Sequence, residues 1–459
     1  MNNVTPSDDI FQQLADVIQA EMARWRVPGV SVGIWYKGQA YTAGFGVTNI
    51  EHPLPVDENT LFQIGSTTKT MTATAVLRLV EQGQLDLDAP VRSYVPELRL
   101  RDEATAVRVT TRHLLTHTGG WAGDYFADTG LGDDALAHYV SNLVHLPQVT
   151  PLGAMWSYNN AGFSLAGRVI EAVTGQTYET AVQALVLDPL GLGHSLFFAH
   201  DAITHRVAAG HTYDDANDAI KVLRPWALAR SAHSAGGITA TVGDQLRYAR
   251  FHLGDGAAEN GGRLLSAATM RLMQTPQVSA NLDRQMGLSW FLNDLAGTRL
   301  VSHGGATNGQ LSAFVLAPSR NFAFISLTNA NRGRKLNEAI TDWVLAHYLG
   351  LAAPQPVHLD TPHSALAEYA GRYEAYMSDL AVSVSDGRLL LQVIPKGGFP
   401  DVDSPPEPAP PPTRLAFFQP DRVIALDRPL TGDKLEFLRD GDGRIVWLRT
   451  SRLHKRIEN

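Results

Sequence analysis

The sequence predicts an α+β body followed by a small all-β module. Three observations carry that reading. Strand-like runs lie near both ends of the first 350 residues, and a long, mostly helical middle separates them. Near residue 351 the composition changes into short apolar runs broken by Gly, Asp and Pro. The chain has 459 residues, more than one typical core holds, so two domains are expected.

Between residues 8 and 25, Ile10, Phe11, Leu14, Val17, Ile18 and Met22 recur at helical spacing, with Ser7 or Asp8 as a cap. Runs 30–36 and 41–45 flank Lys37-Gly38-Gln39 and read as a hairpin. After the helical middle, runs 288–292, 300–302, 312–316 and 322–328 read as strands, with Pro318-Ser319-Arg320-Asn321 as a turn. A closing helix follows over 336–348. Within the middle, Thr241-Val242-Gly243-Asp244 reads as a capping box for a helix over 246–253. The result is one antiparallel sheet built from both ends of residues 1–350, flanked by helices, with a helical insertion. Residues 351–362, starting Leu351-Ala352-Ala353-Pro354, read as a linker. In 363–459, strands are expected at 380–384, 389–393, 414–418, 423–426, 434–438 and 445–448, which suggests an antiparallel sheet or barrel. The proline-rich 405–412 must be an extended excursion, because consecutive prolines cannot fill a central ladder.

Composition excludes several functions. There is no cysteine, hence no disulfide, thiolate nucleophile or Cys-based zinc site. With 38 Lys+Arg against 46 Asp+Glu the net charge is −8, which argues against a nucleic-acid partner. No run of about 18 apolar residues predicts a membrane span. Residues 1–9 lack a basic start and an apolar stretch. As written, the chain is therefore expected in the cytoplasm, or in the periplasm or outside the cell if a signal has been removed.

Three segments carry chemistry. In Gly65-Ser66-Thr67-Thr68-Lys69, a helix starting near Ser66 places Lys69 one turn later on the same side. A serine hydroxyl needs a base, and a desolvated lysine can serve. Of seven lysines, only Lys69 has a serine three residues before it. In Trp156-Ser157-Tyr158-Asn159-Asn160, Tyr158 could share proton traffic with Ser66, provided that Lys69 favours its phenolate. Asn160 offers an amide to a substrate. In Ser302-His303-Gly304-Gly305-Ala306, two glycines at a strand end would let a second backbone approach, such as a bound peptide. The N–H groups of Ser66 and Ala306 could pair as an oxyanion hole. His117-Thr118-Gly119 repeats the His-x-Gly form but reads as a structural turn. His113 and His117 have metal-pair spacing without a third ligand, so no metal is expected.

Together with Ala235-Gly236-Gly237, these segments resemble the serine β-lactamase and penicillin-binding-protein superfamily. The likeness is to its class C β-lactamase-like branch, which includes D-aminopeptidases, D-alanyl-D-alanine carboxypeptidases and esterases. It covers about residues 1–350. The resemblance implies Ser66 as acylated nucleophile, Lys69 as its proton acceptor and Tyr158 as general acid/base. It implies Asn160, His303, Gly304 and Gly305 as substrate-binding residues, Ser66 and Ala306 as oxyanion donors, no cofactor, and a lipocalin-like C-terminal barrel. Class C β-lactamases carry Lys-Thr-Gly where this chain has His303-Gly304-Gly305, which implies weak β-lactam hydrolysis. The expected function is hydrolysis of small peptides or amino-acid amides through an acyl-enzyme, with a D-configured substrate left open. A carboxylesterase or a slowly deacylating penicillin-binding protein is the alternative. Association into a homo-oligomer is a further open expectation.

Overall fold

The computed structural model describes residues 9–215 and 217–457. Helix α1 (Asp9–Trp25) buries Phe11, Leu14 and Ile18 on one face, as the spacing predicts. Its expected cap lies outside the described residues. Strands β1 (Gly29–Tyr36) and β2 (Gln39–Gly46) form the hairpin. The helical middle includes α2 (Thr68–Glu81), α3 (Asn160–Thr174) and α4 (Val242–Leu253). Strands β3 (Phe291–Leu295), β4 (Thr298–Ala306), β5 (Leu311–Ala317) and β6 (Phe322–Thr328) return to the sheet, and α5 (Gly333–Leu349) closes it. The order is β2-β1-β6-β5-β4-β3, extended by two short strands, Gln285–Met286 and Val278–Ser279.

Both faces of this sheet are covered. Val30, Val32, Ile34, Phe322 and Phe324 pack with α1 and α5. Ala323, Ile325 and Leu327 join the core of the helical middle. That explains why β6 is apolar at almost every position instead of alternating. Two local expectations change. Leu288 and Trp290 are buried, but through a turn in which Gly287 N–H reaches Trp290 O at 2.8 Å, and the strand begins only at Phe291. Thr241 caps α4 through the Asp244 N–H, whereas the Asp244 carboxylate accepts from the His194 N–H and the Ser195 hydroxyl. The second half of the capping box is thus spent on a different loop.

Residues 351–362 hold no helix or strand. Beyond them eight strands form a closed barrel: β7 (Gly371–Glu374), β8 (Ser378–Ser385), β9 (Arg388–Pro395), β10 (Thr413–Gln419), β11 (Arg422–Ala425), β12 (Lys434–Arg439), β13 (Ile445–Arg449) and β14 (Leu453–Ile457). Tyr373, Leu391, Phe417, Phe437 and Leu448 pack in its core, as eight strands leave room for little more than side chains. Pairing of β7 with β14 closes it, with Tyr373 opposite Arg456. Sequence reading missed this pair. Both strands are short, and Leu453-His454-Lys455-Arg456-Ile457 shows no apolar run. The barrel docks on the N-terminal body through polar contacts that include the following. The Leu282 N–H donates to Glu436 at 2.7 Å, and Arg334 and Lys335 pair with Asp433 at 2.7 and 2.8 Å.

Candidate active site

The nucleophile segment is held from three sides. Phe62–Gln63 pairs with Thr239–Ala240. The Gln63 N–H donates to the Gln310 side chain at 3.0 Å, and the Ser312 hydroxyl donates to Ile64 O at 2.8 Å. A single 3₁₀ turn, Gly65–Thr67, then leads into α2, so Ser66 stands just before the helix rather than in it. The turn and β4 lie backbone against backbone. A Cβ on Gly305 would sit 1.8 Å from Ile64 O, and one on Gly65, whose φ is +52°, 2.6 Å from Ala306 N. Gly305 therefore admits the chain's own backbone, where the sequence suggested a bound peptide. Gly304 is exposed and lines the cleft.

Lys69 lies on α2 with its side chain buried. Nζ donates to Ser66 Oγ at 3.0 Å and to Ala235 O. It makes no ion pair among the described residues. Burial holds its pKa well below the ordinary lysine range; the Arg452 guanidinium pushes the same way and Asp124 opposes. The amine also lies 5.1 Å from the Tyr158 ring centroid.

Tyr158 precedes α3, whose cap is the Asn159 side chain accepting from the Gly162 N–H. Its ring stacks on His117 at 4.2 Å. The phenol is buried and makes no well-formed hydrogen bond, although the Ser66 hydroxyl is near enough to favour ionisation. Burial outweighs that and raises its pKa above the usual tyrosine range. Burial thus favours the neutral forms of both the phenol and the amine.

His303 on β4 donates from Nδ1 to Gly304 O at 2.6 Å, leaving buried Nε2 as a lone-pair acceptor. Burial, with Lys69 nearby, lowers its pKa to about 3, so it is uncharged at neutral pH. Asn160, the first residue of α3, donates to Asp124 at 2.7 Å and lines the cleft with Ser66, Tyr158, His303, Gly305 and Ala306. Every residue the sequence singled out for the site thus borders one cleft or, for Lys69, underlies it.

Sequence reading took the His117 and Ala235 segments as structural and missed Asp124 and Arg452. His117 is the structural turn expected, with φ +58°, but its Nδ1 accepts the Asn159 N–H at 3.0 Å and its ring supports Tyr158. Ala235 supplies the carbonyl on Lys69. Asp124 and Arg452 form a bidentate pair at 2.7 and 2.8 Å, with the guanidinium 4.8 Å from the Tyr158 ring centroid. Arg452 comes from the turn before β14, and the same turn binds the Tyr158 N–H through Ser451 O at 2.9 Å. The barrel therefore supplies part of the site. Only the glycine-rich stretch Gly119–Gly123 before Asp124 hinted at a loop beside the cleft.

A serine one helical turn from a buried lysine, beside a phenol and a glycine-bearing edge of an antiparallel sheet, defines a serine-hydrolase architecture. The chain belongs to the β-lactamase family: the family model described as Beta-lactamase matches residues 14–348. It is similar to penicillin-binding protein 4 of Amycolatopsis lactamdurans, with 33% identity over 351 residues, 75% of this chain and 91% of that protein. Among solved structures it is similar to SurE, with a TM-score of 0.75 and 24% identity, covering 98% of this chain and 99% of that one. SurE has also been solved with D-Leu. The octameric penicillin-binding protein homologue from Pyrococcus abyssi is similar at a TM-score of 0.68 and 24% identity, over 97% of this chain and 99% of that one. These two likenesses span both the body and the barrel, and they concern the fold. No described helix is long and apolar enough to cross a membrane.

Proposed function

We propose that this chain hydrolyses peptides through an acyl-enzyme on Ser66. The single observation that carries the reading is the Lys69 amine, buried, without an ion-pair partner among the described residues and 3.0 Å from Ser66 Oγ. As a neutral amine it takes the Ser66 proton while Oγ bonds to the substrate carbonyl carbon. The Ser66 and Ala306 N–H groups hold the resulting oxyanion. Tyr158, a phenol at rest, gives its proton to the leaving nitrogen as the C–N bond breaks, and Lys69 restores it. Water then attacks the ester, its proton returns through the same groups, and the acid leaves with Ser66 regenerated. The uncharged His303 and Asn160 line the substrate's path. The D-Leu held by SurE supports a D-configured residue at the scissile bond.

Amides need leaving-group protonation and activated esters do not. A matched D-amino-acyl p-nitroanilide and p-nitrophenyl ester therefore separate peptidase from esterase. Cleavage of both, with the D form preferred, supports the proposal, and an ester-only profile overturns its peptidase part. The likeness to penicillin-binding protein 4 favours a second reading, a receptor that acylates and deacylates slowly. A β-lactam adduct persisting for hours in the intact-protein mass would favour that reading.

A further inference from the structure

The cleft is far larger than the chemistry around Ser66 requires. Its volume is about 1220 Å³, above the range of about 300–1,000 Å³ that accommodates drug-sized ligands. Between the Ser66 turn and the barrel, Leu228, Phe126, Phe399 and Tyr376 line the cleft, with the charged Asp124 and Arg452 also on its surface. Next to Gly65 stands Gly236, and a Cβ there would lie 3.6 Å from the Leu228 side chain. The segment carrying Leu228 is fastened to the next part of the wall by the Ser231 hydroxyl, which donates to Ala127 O at 2.6 Å. Phe126, beside Ala127, meets Phe399 of the barrel edge to face, with ring centroids 4.9 Å apart. Tyr376, on the turn between β7 and β8, completes the barrel side.

Phe399 belongs to the long excursion between β9 and β10, and its loop is braced from within. The Gly398 N–H donates to Ser404 O at 2.9 Å, the Ser404 N–H to Asp401 O at 2.9 Å, and the Asp401 N–H to Ser404 Oγ at 3.2 Å. The Lys396 N–H and ammonium fix it to the neighbouring turn, at Met377 O and Ala375 O. Beside the Phe126–Phe399 contact, the Asp128 N–H donates to the Asp401 carboxylate at 3.1 Å. These bonds spend the loop's backbone polar groups on itself and on its neighbours, and leave an aromatic face toward the cleft. An aromatic face of this kind offers dispersion and desolvation to an apolar side chain.

We infer that Phe126 and Phe399 form a side-chain subsite that selects peptides of several residues carrying an aromatic or large aliphatic residue away from the scissile bond. This rests on the acyl-enzyme reading and adds the substrate class to it. Single amino-acid amides would reach Ser66 without touching the subsite. Specificity would then be set jointly by the catalytic body and the barrel.

The test uses full-length protein and acetylated tripeptide p-nitroanilides in which phenylalanine replaces alanine at each position in turn. At one position, phenylalanine should raise kcat/KM by about tenfold or more over alanine. In Phe399→Ala and Phe126→Ala that ratio should fall toward one, and Phe399→Leu should recover much of it. Because the ratio is taken within one variant, general damage to the fold cancels. A ratio that stays at the wild-type value in both alanine variants overturns the subsite and leaves the Ser66 assignment standing. Turnover by wild-type protein with no acyl adduct on Ser66 overturns that assignment instead, so the two failures give separate signals.

Discussion

Lys69 is buried without a carboxylate partner among the described residues, and burial lowers its pKa in the direction that the proposed role as base requires. An ammonium in that place would have a hydroxyl and a carbonyl as its hydrogen-bond partners, with a guanidinium nearby. The sign of the pH dependence follows. In the proposed mechanism the neutral amine accepts the proton, so turnover should fall as pH drops through the lowered Lys69 pKa. His303 does not supply this limb, since it takes up a proton only near pH 3. A profile of kcat/KM from pH 4 to 9 should show one acid limb. Lys69→Arg, which cannot deprotonate, should cost about 10²–10⁴ in rate. A flat profile, or an arginine variant with wild-type turnover, contradicts the role. Ser66 and Lys69 were legible because their contact is local, three residues apart on one helical turn. Arg452 and Asp124 were not, because 328 positions separate them and only the packing of the barrel against the body brings them together.

At the scale of elements, the site depends on two backbones pressed together: β4 against the turn that carries Ser66. Gly305 is the residue that permits it, since a Cβ would meet the Ile64 carbonyl at 1.8 Å. Gly305→Ala should therefore push β4 away from the Ser66 turn. A loss of about 1–3 kcal/mol in urea unfolding is expected, with activity falling further than stability accounts for. An alanine variant with unchanged stability and rate would show that the approach is not needed. The sequence revealed the glycines but not what they admit, because an approach between chain segments 240 residues apart leaves no local pattern. The sheet was more legible. Strands β5 and β6 and the hairpin are long and apolar, whereas β7 and β14 are four and five residues long and partly charged.

Across the whole molecule, burial of neutral histidines couples folding to pH. His252 packs against Tyr248 and Trp290 with neither ring nitrogen hydrogen-bonded, and burial lowers its pKa to about 3. His303 is lowered to about 3 and His454, at the start of β14, to about 4. In the unfolded chain each titrates near 6.5. Between that value and about 4 the unfolded state binds more protons, so stability falls as pH falls, by about 1.4 kcal/mol per unit per histidine. Unfolding midpoints should drop steadily from pH 6.5 to 4 and change little from these groups above 7. His252→Phe should flatten the slope by about one histidine's share. A slope that His252→Phe leaves unchanged contradicts the burial of that histidine.

The most direct test of the account is the mass of the trapped intermediate. Wild-type protein mixed with a poor-leaving β-lactam or a D-amino-acyl ester and quenched in acid should gain one acyl group, located by peptide mapping on the fragment containing Ser66. Ser66→Ala should gain none. An adduct on another residue, or turnover by the alanine variant, would contradict the account.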